Sequence, residues 1–300
     1  IFKFIFRLLT FRPNIILLNP SLGDKALKRD FIYLNICRFF RKKTSVFIHG
    51  FNFEYAKNAD WKWISTNLNK ALCIFVLSQE FKNELIRRGV KSDIHLTSTK
   101  VPDYFISGFD LSMRQGKAKN IMYSGRIEKA KGVYETVDTF SILKSQYKDL
   151  TLTFVGDGSE LPKLKQYVEN KKIKDVRFTG RLCGEDFKKE YINADMYLFL
   201  SYTEGMPTVV LEAMIFGLPI FTRKVGGLID FFENGKMGYI SSSLDPVVFA
   251  EAMKPYIESS AKMKSVSLYN SEYARTHFIA SVVARKFENT LNYGYFKNQD

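Results

Sequence analysis

Short apolar runs and longer amphipathic stretches take turns along this chain. Residues Asn14–Leu18, Ser45–Ile48, Cys73–Leu77 and Asp93–Leu96 read as strands. Helical periodicity fills 26–41, 61–71 and 80–88 between and beside them. A second series begins near Asn120. Strands are predicted at Asn120–Tyr123, Thr151–Val155, Val176–Phe178, Met196–Leu200, Pro219–Thr222 and Gly238–Ile240. Helices are predicted at Val133–Gln146, Leu161–Asn170, Glu185–Asn193, Pro207–Phe216 and Pro246–Ser259, with a short turn near Leu228–Phe232. Such alternation predicts an α/β architecture with parallel sheets joined by helical crossovers. Residues 1–12 suit an amphipathic helix with Lys3 and Arg7 on one face; we expect it in a domain core rather than on a membrane surface. Residues 105–118 lack periodicity and read as a linker. A last helix covers about Tyr269–Leu291, with Tyr273, Phe278, Val282, Phe287 and Leu291 as candidate buried positions.

The stretch from Ser201 to Phe216 concentrates the chemistry. A buried strand leads into a polar loop, Pro207, and then an apolar helix. Proline, which has no N–H of its own, favours the first helical position, so the turn Gly205, Met206, Pro207 and Thr208 would present the N–H groups of its other residues at an open helix N-terminus suited to an anion. Glu204 precedes the helix and Glu212 lies on it. Five residues at 1.5 Å each is about 8 Å, roughly the separation of a phosphate from a ribose. The pattern is nucleotide-shaped.

Composition narrows the partners. Three hundred residues favour two domains. No apolar run reaches the roughly 20 residues that span a bilayer, and Lys3 and Arg7 interrupt the opening apolar segment as a signal peptide would not. Cys37, Cys73 and Cys183 are widely spaced, and His49, His95 and His277 form no ligand cluster, so we expect a reducing, cytoplasmic setting and no metal centre. The net charge of +14 is uneven: residues 1–115 carry 19 Lys+Arg against 9 Asp+Glu, residues 116–300 carry 26 against 22. A basic first half suits an anionic substrate or an anionic membrane face; nucleic acid fits poorly, since no recognisable module interleaves the basic residues.

Ligands of open parallel sheets bind outside the carboxyl ends of the strands. After Tyr123 the loop Ser124-Gly125-Arg126-Ile127-Glu128-Lys129-Ala130-Lys131-Gly132 offers a guanidinium and an ammonium for a diphosphate. Gly156-Asp157-Gly158 lacks the third glycine of a dinucleotide fingerprint, since Leu161 stands there, and reads as a tight turn. Arg181 and Leu182 follow another strand and would border a base. Gly226-Gly227 permits close backbone approach or positive φ. His49-Gly50 ends a strand of the first half. No Asp-x-Asp pair occurs, so Arg126, Lys131 and a helix N-terminus would neutralise a diphosphate without a metal.

Four motifs together, Ser124–Gly132, Val155–Gly158, Phe178–Leu182 and the Glu-x7-Glu run Glu204–Glu212, resemble those of retaining glycosyltransferases of family 4 with the GT-B fold. The match is close over about 120–240 and weaker through 13–104 and 265–291. The resemblance implies two Rossmann-like domains: 1–115 on the acceptor side, 116–264 binding the nucleotide-sugar, and a helix in 265–300 crossing back. It implies that Gly125, Arg126 and Lys131 hold the diphosphate, Glu204 assists at the sugar, and Gly205–Thr208 bind phosphate or sugar hydroxyls. Glu212 would take the ribose, Arg181 and Leu182 the base, and His49 the transferred sugar. The donor is then a nucleotide-diphosphate sugar and a substrate, no cofactor is needed, and the acceptor is a saccharide or lipid-linked molecule of cell-envelope or exopolysaccharide assembly.

The family's first domain opens with a strand and Gly-rich loop that find no counterpart here. The expectation is a fragment lacking part of that domain, binding nucleotide but transferring sugar poorly. Two alternatives remain: a nucleotide-sugar epimerase on the same scaffold, against which the Glu-x7-Glu run speaks, and a non-catalytic nucleotide-binding subunit, against which the joint presence of Arg126, Lys131, Glu204 and Glu212 speaks.

Overall fold

The computed structural model describes residues 1–114 and 118–297, which fold into two compact units: residues 1–99 with the chain from 283 onward, and residues 100–282. In the first unit the order is α1 (Phe2–Phe11), β1 (Ile15–Leu18), β2 (Ser21–Leu22), α2 (Asp24–Phe39), β3 (Lys43–Ile48), β4 (Gly50–Phe51), α3 (Phe53–Asn58), α4 (Trp61–Leu68), β5 (Cys73–Val76), α5 (Gln79–Arg87) and β6 (Asp93–Leu96). The main sheet runs β1-β3-β5-β6, every pair parallel, and β2 and β4 form a separate parallel pair. Val46, Ile48, Ile74 and Val76 are buried. This agrees with unbroken apolar runs, because a sheet with both faces covered does not alternate. The short β2, β4 and α3 escaped the sequence reading; none is long enough to show a period.

The α1 helix forms where expected, but not as a core helix. Leu8 is buried and Phe4 packs on Tyr33 of α2 at 4.7 Å, while Phe2, Phe6, Leu9 and Phe11 are exposed.

The second unit contains β7 (Asn120–Ser124), α6 (Val133–Gln146), β8 (Thr151–Val155), α7 (Leu161–Asn170), β9 (Val176–Gly180), α8 (Gly184–Asn193), β10 (Met196–Phe199), α9 (Thr208–Ile215), β11 (Ile220–Arg223), β12 (Gly238–Ser241), α10 (Pro246–Glu258) and α11 (Ser260–His277). Its sheet runs β12-β11-β10-β7-β8-β9, all parallel. The chain builds outward from β7 through β8 to β9, then returns to the other side of β7 with β10. Strand order therefore reverses between β7 and β10.

Two boundaries differ from expectation. The stretch expected as a linker is structured as far as it is described: 3₁₀ turns at Asp103–Ile106 and Leu111–Met113 belong to the second unit, and Phe105, Ile106 and Phe109 are buried. Residues 115–117 of that stretch lie outside the described residues. Arg114 supplies the reason for the order. Its guanidinium donates to the carbonyls of Phe216 (2.7 Å), Tyr191 (2.8 Å) and Ala194, so it closes the C-terminal ends of both α8 and α9. The final helical stretch is also two elements: α11 ends at His277 and α12 (Ala280–Lys297) follows. An isolated bridge between Val101 and Ile279 marks the break. Residues 298–300, placed with the returning helix by sequence, lie outside the described residues. Within the first unit, Phe287 of α12 stacks on Phe75 at 4.0 Å.

Candidate functional site

Strand order reverses between β7 and β10, and open parallel sheets bind ligands outside the carboxyl ends of the strands at such a point. Glycines bring the two loops there together. Gly132 has φ +68, and a Cβ on it would lie 2.0 Å from the Leu200 carbonyl. The β7 loop is tied to the β10 loop as well: the Tyr202 N–H donates to the Ala130 carbonyl at 2.9 Å, and Ser201 Oγ reaches the same oxygen at 3.4 Å. From the other side, the Gly227 N–H donates to the Gly205 carbonyl at 2.8 Å.

This clamp sets Lys131 against Glu204. Nζ and Oε1 are 2.6 Å apart, and each side chain is only 15% exposed. At that burial the pair is more than a solvated surface contact, and breaking it by removing one partner leaves a shielded charge alone. Arg126, expected beside Lys131 on the same anion, instead donates to Glu128 Oε1 at 2.8 Å and is exposed. The structure thus brings Lys131 and Glu204 together and leaves Arg126 outside their contact. Gly125 is half-buried and takes φ +144, its N–H donating to the Val155 carbonyl.

The α9 helix begins at Thr208. Pro207 occupies the cap position rather than the first helical position, no side chain caps the first turn, and Met206 and Pro207 are buried while Gly205 and Thr208 are half-buried. Uncapped N–H groups at a helix start favour an anion. One turn further along, Glu212 points back into the unit: its Oε2 accepts the Tyr191 hydroxyl at 2.8 Å. Burial pushes the Glu212 carboxyl up to about 7, against which the Tyr191 hydrogen bond works.

That shift has a stability consequence with a definite sign. Folded Glu212 holds its proton to higher pH than in the unfolded chain. The stability it confers is full below about 4.5 and is lost as pH rises through about 7. At about 1.4 kcal/mol per pH unit between about 4.5 and about 7, the loss is on the order of 3–4 kcal/mol. Glu212→Gln is therefore expected to be more stable than the parent at pH 8 and little different at pH 4.5, by chemical denaturation at both pH values.

The remaining candidates are more scattered. Arg181 follows β9 at the sheet edge and is exposed, with Leu182 half-buried beside it. His49 lies in the first unit at the end of β3, exposed, with Nε2 3.0 Å from Ser21 Oγ. Gly156 packs on Gly125, where a Cβ would lie 1.9 Å from its carbonyl oxygen, in keeping with a tight turn. Sequence reasoning missed the residues behind Glu212. Tyr191, Ser124 and Tyr197 are fully buried and connected hydroxyl to hydroxyl. Two tyrosines in otherwise ordinary α8 and β10 segments carry no pattern that marks them.

Comparison with known proteins gives a family and a fold. Residues 112–273 match the family described as glycosyl transferases group 1, more than half of the chain and both the β7 and β10 loops. The chain belongs to that family. A capsular polysaccharide biosynthesis glycosyltransferase, CapM of Staphylococcus aureus, is 26% identical over 180 residues, covering 57% of this chain and 45% of CapM. A GDP-mannose-dependent alpha-mannosyltransferase of Corynebacterium glutamicum is 27% identical over 216 residues, covering 69% of this chain and 49% of the relative. The matched stretches thus span about half the length of these relatives. Among solved structures, Anabaena Alr3699/HepE, determined in complex with UDP and glucose, superposes with a TM-score of 0.76 at 18% identity, covering 96% of this chain and 80% of the other. That likeness is one of fold, and the α/β, parallel-sheet GT-B class read from the sequence is the class of such neighbours. Among the described residues no helix is long and apolar enough to cross a membrane.

Proposed function

We propose that this family member is a retaining glycosyltransferase of family 4 that takes its sugar from a nucleoside-diphosphate donor. The observation that carries the reading is the convergence of Lys131, Glu204 and the uncapped start of α9 at the strand-order switch, with Glu212 one turn along the same helix. The diphosphate would take Lys131 and the first N–H groups of α9, with Arg126 swinging from Glu128 to join them. No resident metal is required by this scheme. Glu212 would accept the ribose hydroxyls on Oε1, and Arg181 and Leu182 would border the base. Glu204, released by Lys131, would face the transferred sugar. The leaving diphosphate would help take the acceptor's proton on the face it vacates, which preserves the anomeric configuration. The HepE neighbour is described with UDP and glucose, and CapM with capsule assembly; these support a nucleotide-sugar donor and a saccharide or lipid-linked acceptor in envelope or exopolysaccharide synthesis. The basic first half supports a location at the inner, anionic membrane face.

Proton NMR with UDP-glucose and GDP-mannose as probes tests this reading. Saturation transfer to at least one donor, and an α-anomer as the first sugar product from that α-linked donor, are the expected results. A β-anomer formed first would overturn retention, and absence of saturation transfer to every donor in a panel extended to UDP-N-acetylglucosamine and ADP-glucose would overturn the site.

A further inference from the structure

Behind Glu212 lies a buried chain of hydroxyls. Tyr191 Oη is 2.8 Å from Glu212 Oε2 and 2.8 Å from Ser124 Oγ; Ser124 Oγ is 2.9 Å from Tyr197 Oη, which also lies 3.1 Å from the Ser124 carbonyl. Tyr191, Ser124 and Tyr197 are each 0% exposed. A buried polar network is costly unless each member is satisfied, and here each is. Tyr191 Oη also lies 3.4 Å from the Val209 carbonyl. It has one proton, and the carboxylate is the stronger and closer acceptor. Ser124 can then donate to Tyr191, and Tyr197 to Ser124 Oγ, with the Ser124 carbonyl as its second, more distant acceptor.

The Tyr191 ring is not free to turn. It stacks on Phe216 at 5.5 Å with the planes 7° apart, and Phe105 and Phe187 meet it edge-on at 5.8 and 5.1 Å. Arg114 holds its carbonyl and, through Phe216, the end of the helix that carries Glu212. The hydroxyl is therefore aimed before any ligand arrives.

We propose that Tyr191 is the positioning residue for Glu212: it holds Oε2 and turns Oε1 toward the ribose diol of the nucleotide, with Ser124 and Tyr197 anchoring it from behind. This rests on the reading of Glu212 as the ribose acceptor. The ionisable groups around Glu212 bear on its behaviour with pH. Tyr191 faces it from α8 and Tyr197 from β10, both held far above the usual phenol range, first by burial and further by the Glu212 charge, so both remain donors. Glu204 adds its charge at Tyr197 from the β10–α9 loop, where Lys131 of the β7 loop pairs with it. The ordered carboxylate binds a diol best when ionised, so ribose recognition strengthens as pH rises through about 7.

The experiment compares binding of UDP, GDP and ADP, each with its 2′,3′-dideoxy analogue, from pH 5.5 to 9 by calorimetry. Taking the ratio cancels titration of the phosphates. The parent protein is expected to prefer the ribonucleotide, increasingly so above about pH 7. Tyr191→Phe is expected to lose roughly threefold to tenfold of that preference at pH 7, to leave dideoxynucleotide affinity unchanged, and to regain the preference at higher pH. The recovery follows because the donor that favoured the Glu212 carboxylate is gone and its titration moves up. Ser124→Ala, which removes only the rear anchor, is expected to shift both readouts the same way by less, and it carries the test should Tyr191→Phe fold poorly. A parent-like preference and pH profile in both variants would overturn the proposal and leave Tyr191 a packing residue. A parent protein with no ribonucleotide preference would instead overturn the ribose reading of Glu212, and this inference with it.

Discussion

Replacing Lys131 with alanine is expected to weaken nucleoside-diphosphate binding by roughly 30- to 150-fold, the equivalent of about 2–3 kcal/mol. Two effects act together. A bound diphosphate would lose the Lys131 ammonium, and Glu204, only 15% exposed, would be left as an unpaired negative charge beside an anionic ligand. The second effect can be isolated. Without a ligand, Lys131 is held by Glu204 at 2.6 Å, so a diphosphate competes with that carboxylate for it. Glu204→Gln alone should bind a bare nucleoside diphosphate a few-fold more tightly than the parent while losing sugar transfer. The Lys131→Ala/Glu204→Gln double variant should recover part of the loss caused by Lys131→Ala. Calorimetric titration of the four proteins gives the coupling; strictly additive effects would mean that the ligand does not compete for Lys131.

Gly226→Ala is expected to be among the more damaging single methyl additions in the second unit, and the one that acts directly on the Glu204 loop. Gly226 has φ +50, and an added Cβ would stand 2.1 Å from the Gly205 carbonyl oxygen and 2.6 Å from that of Glu204. These are backbone atoms, so no flexible side chain can yield. Either the loop after β11 moves or the Glu204–Gly205 segment does, and the latter carries the carboxylate and the entry to α9. A stability loss of about 2–4 kcal/mol, from positive-φ strain and overpacking, is expected by chemical denaturation. Nucleotide affinity should fall with it. Gly235→Ala is the matched control: φ is +84 there, but no atom lies within 4 Å of the added Cβ, so strain acts without the collision and binding should persist.

The fold was largely visible in the chain because parallel strands covered on both faces appear as unbroken apolar runs; β5, β8 and β10 were placed within a residue or two. What the runs could not show was strand order, and the order is what puts the Lys131 and Glu204 loops side by side. The linker reading failed at Arg114 for a related reason: its three carbonyl partners lie 77 to 102 residues away, and no local period reports contacts of that range. Lys131, Glu204 and Glu212 were legible through their positions after strands and beside a proline. The difference at Arg126 is one of partner, since Glu128 sits two residues along and claims its guanidinium. Tyr191 and Tyr197 were not legible, because a buried hydroxyl network is made of residues that a sequence shows only as ordinary aromatics.

The most direct measurement is calorimetric titration of UDP, GDP and ADP into the parent protein and into Lys131→Ala. Saturable one-to-one binding of at least one nucleotide to the parent, weakened at least thirtyfold by the substitution, is the result expected of a diphosphate site at the β7–β10 switch. Equal binding to both proteins, or binding of none of the three to the parent, would contradict it.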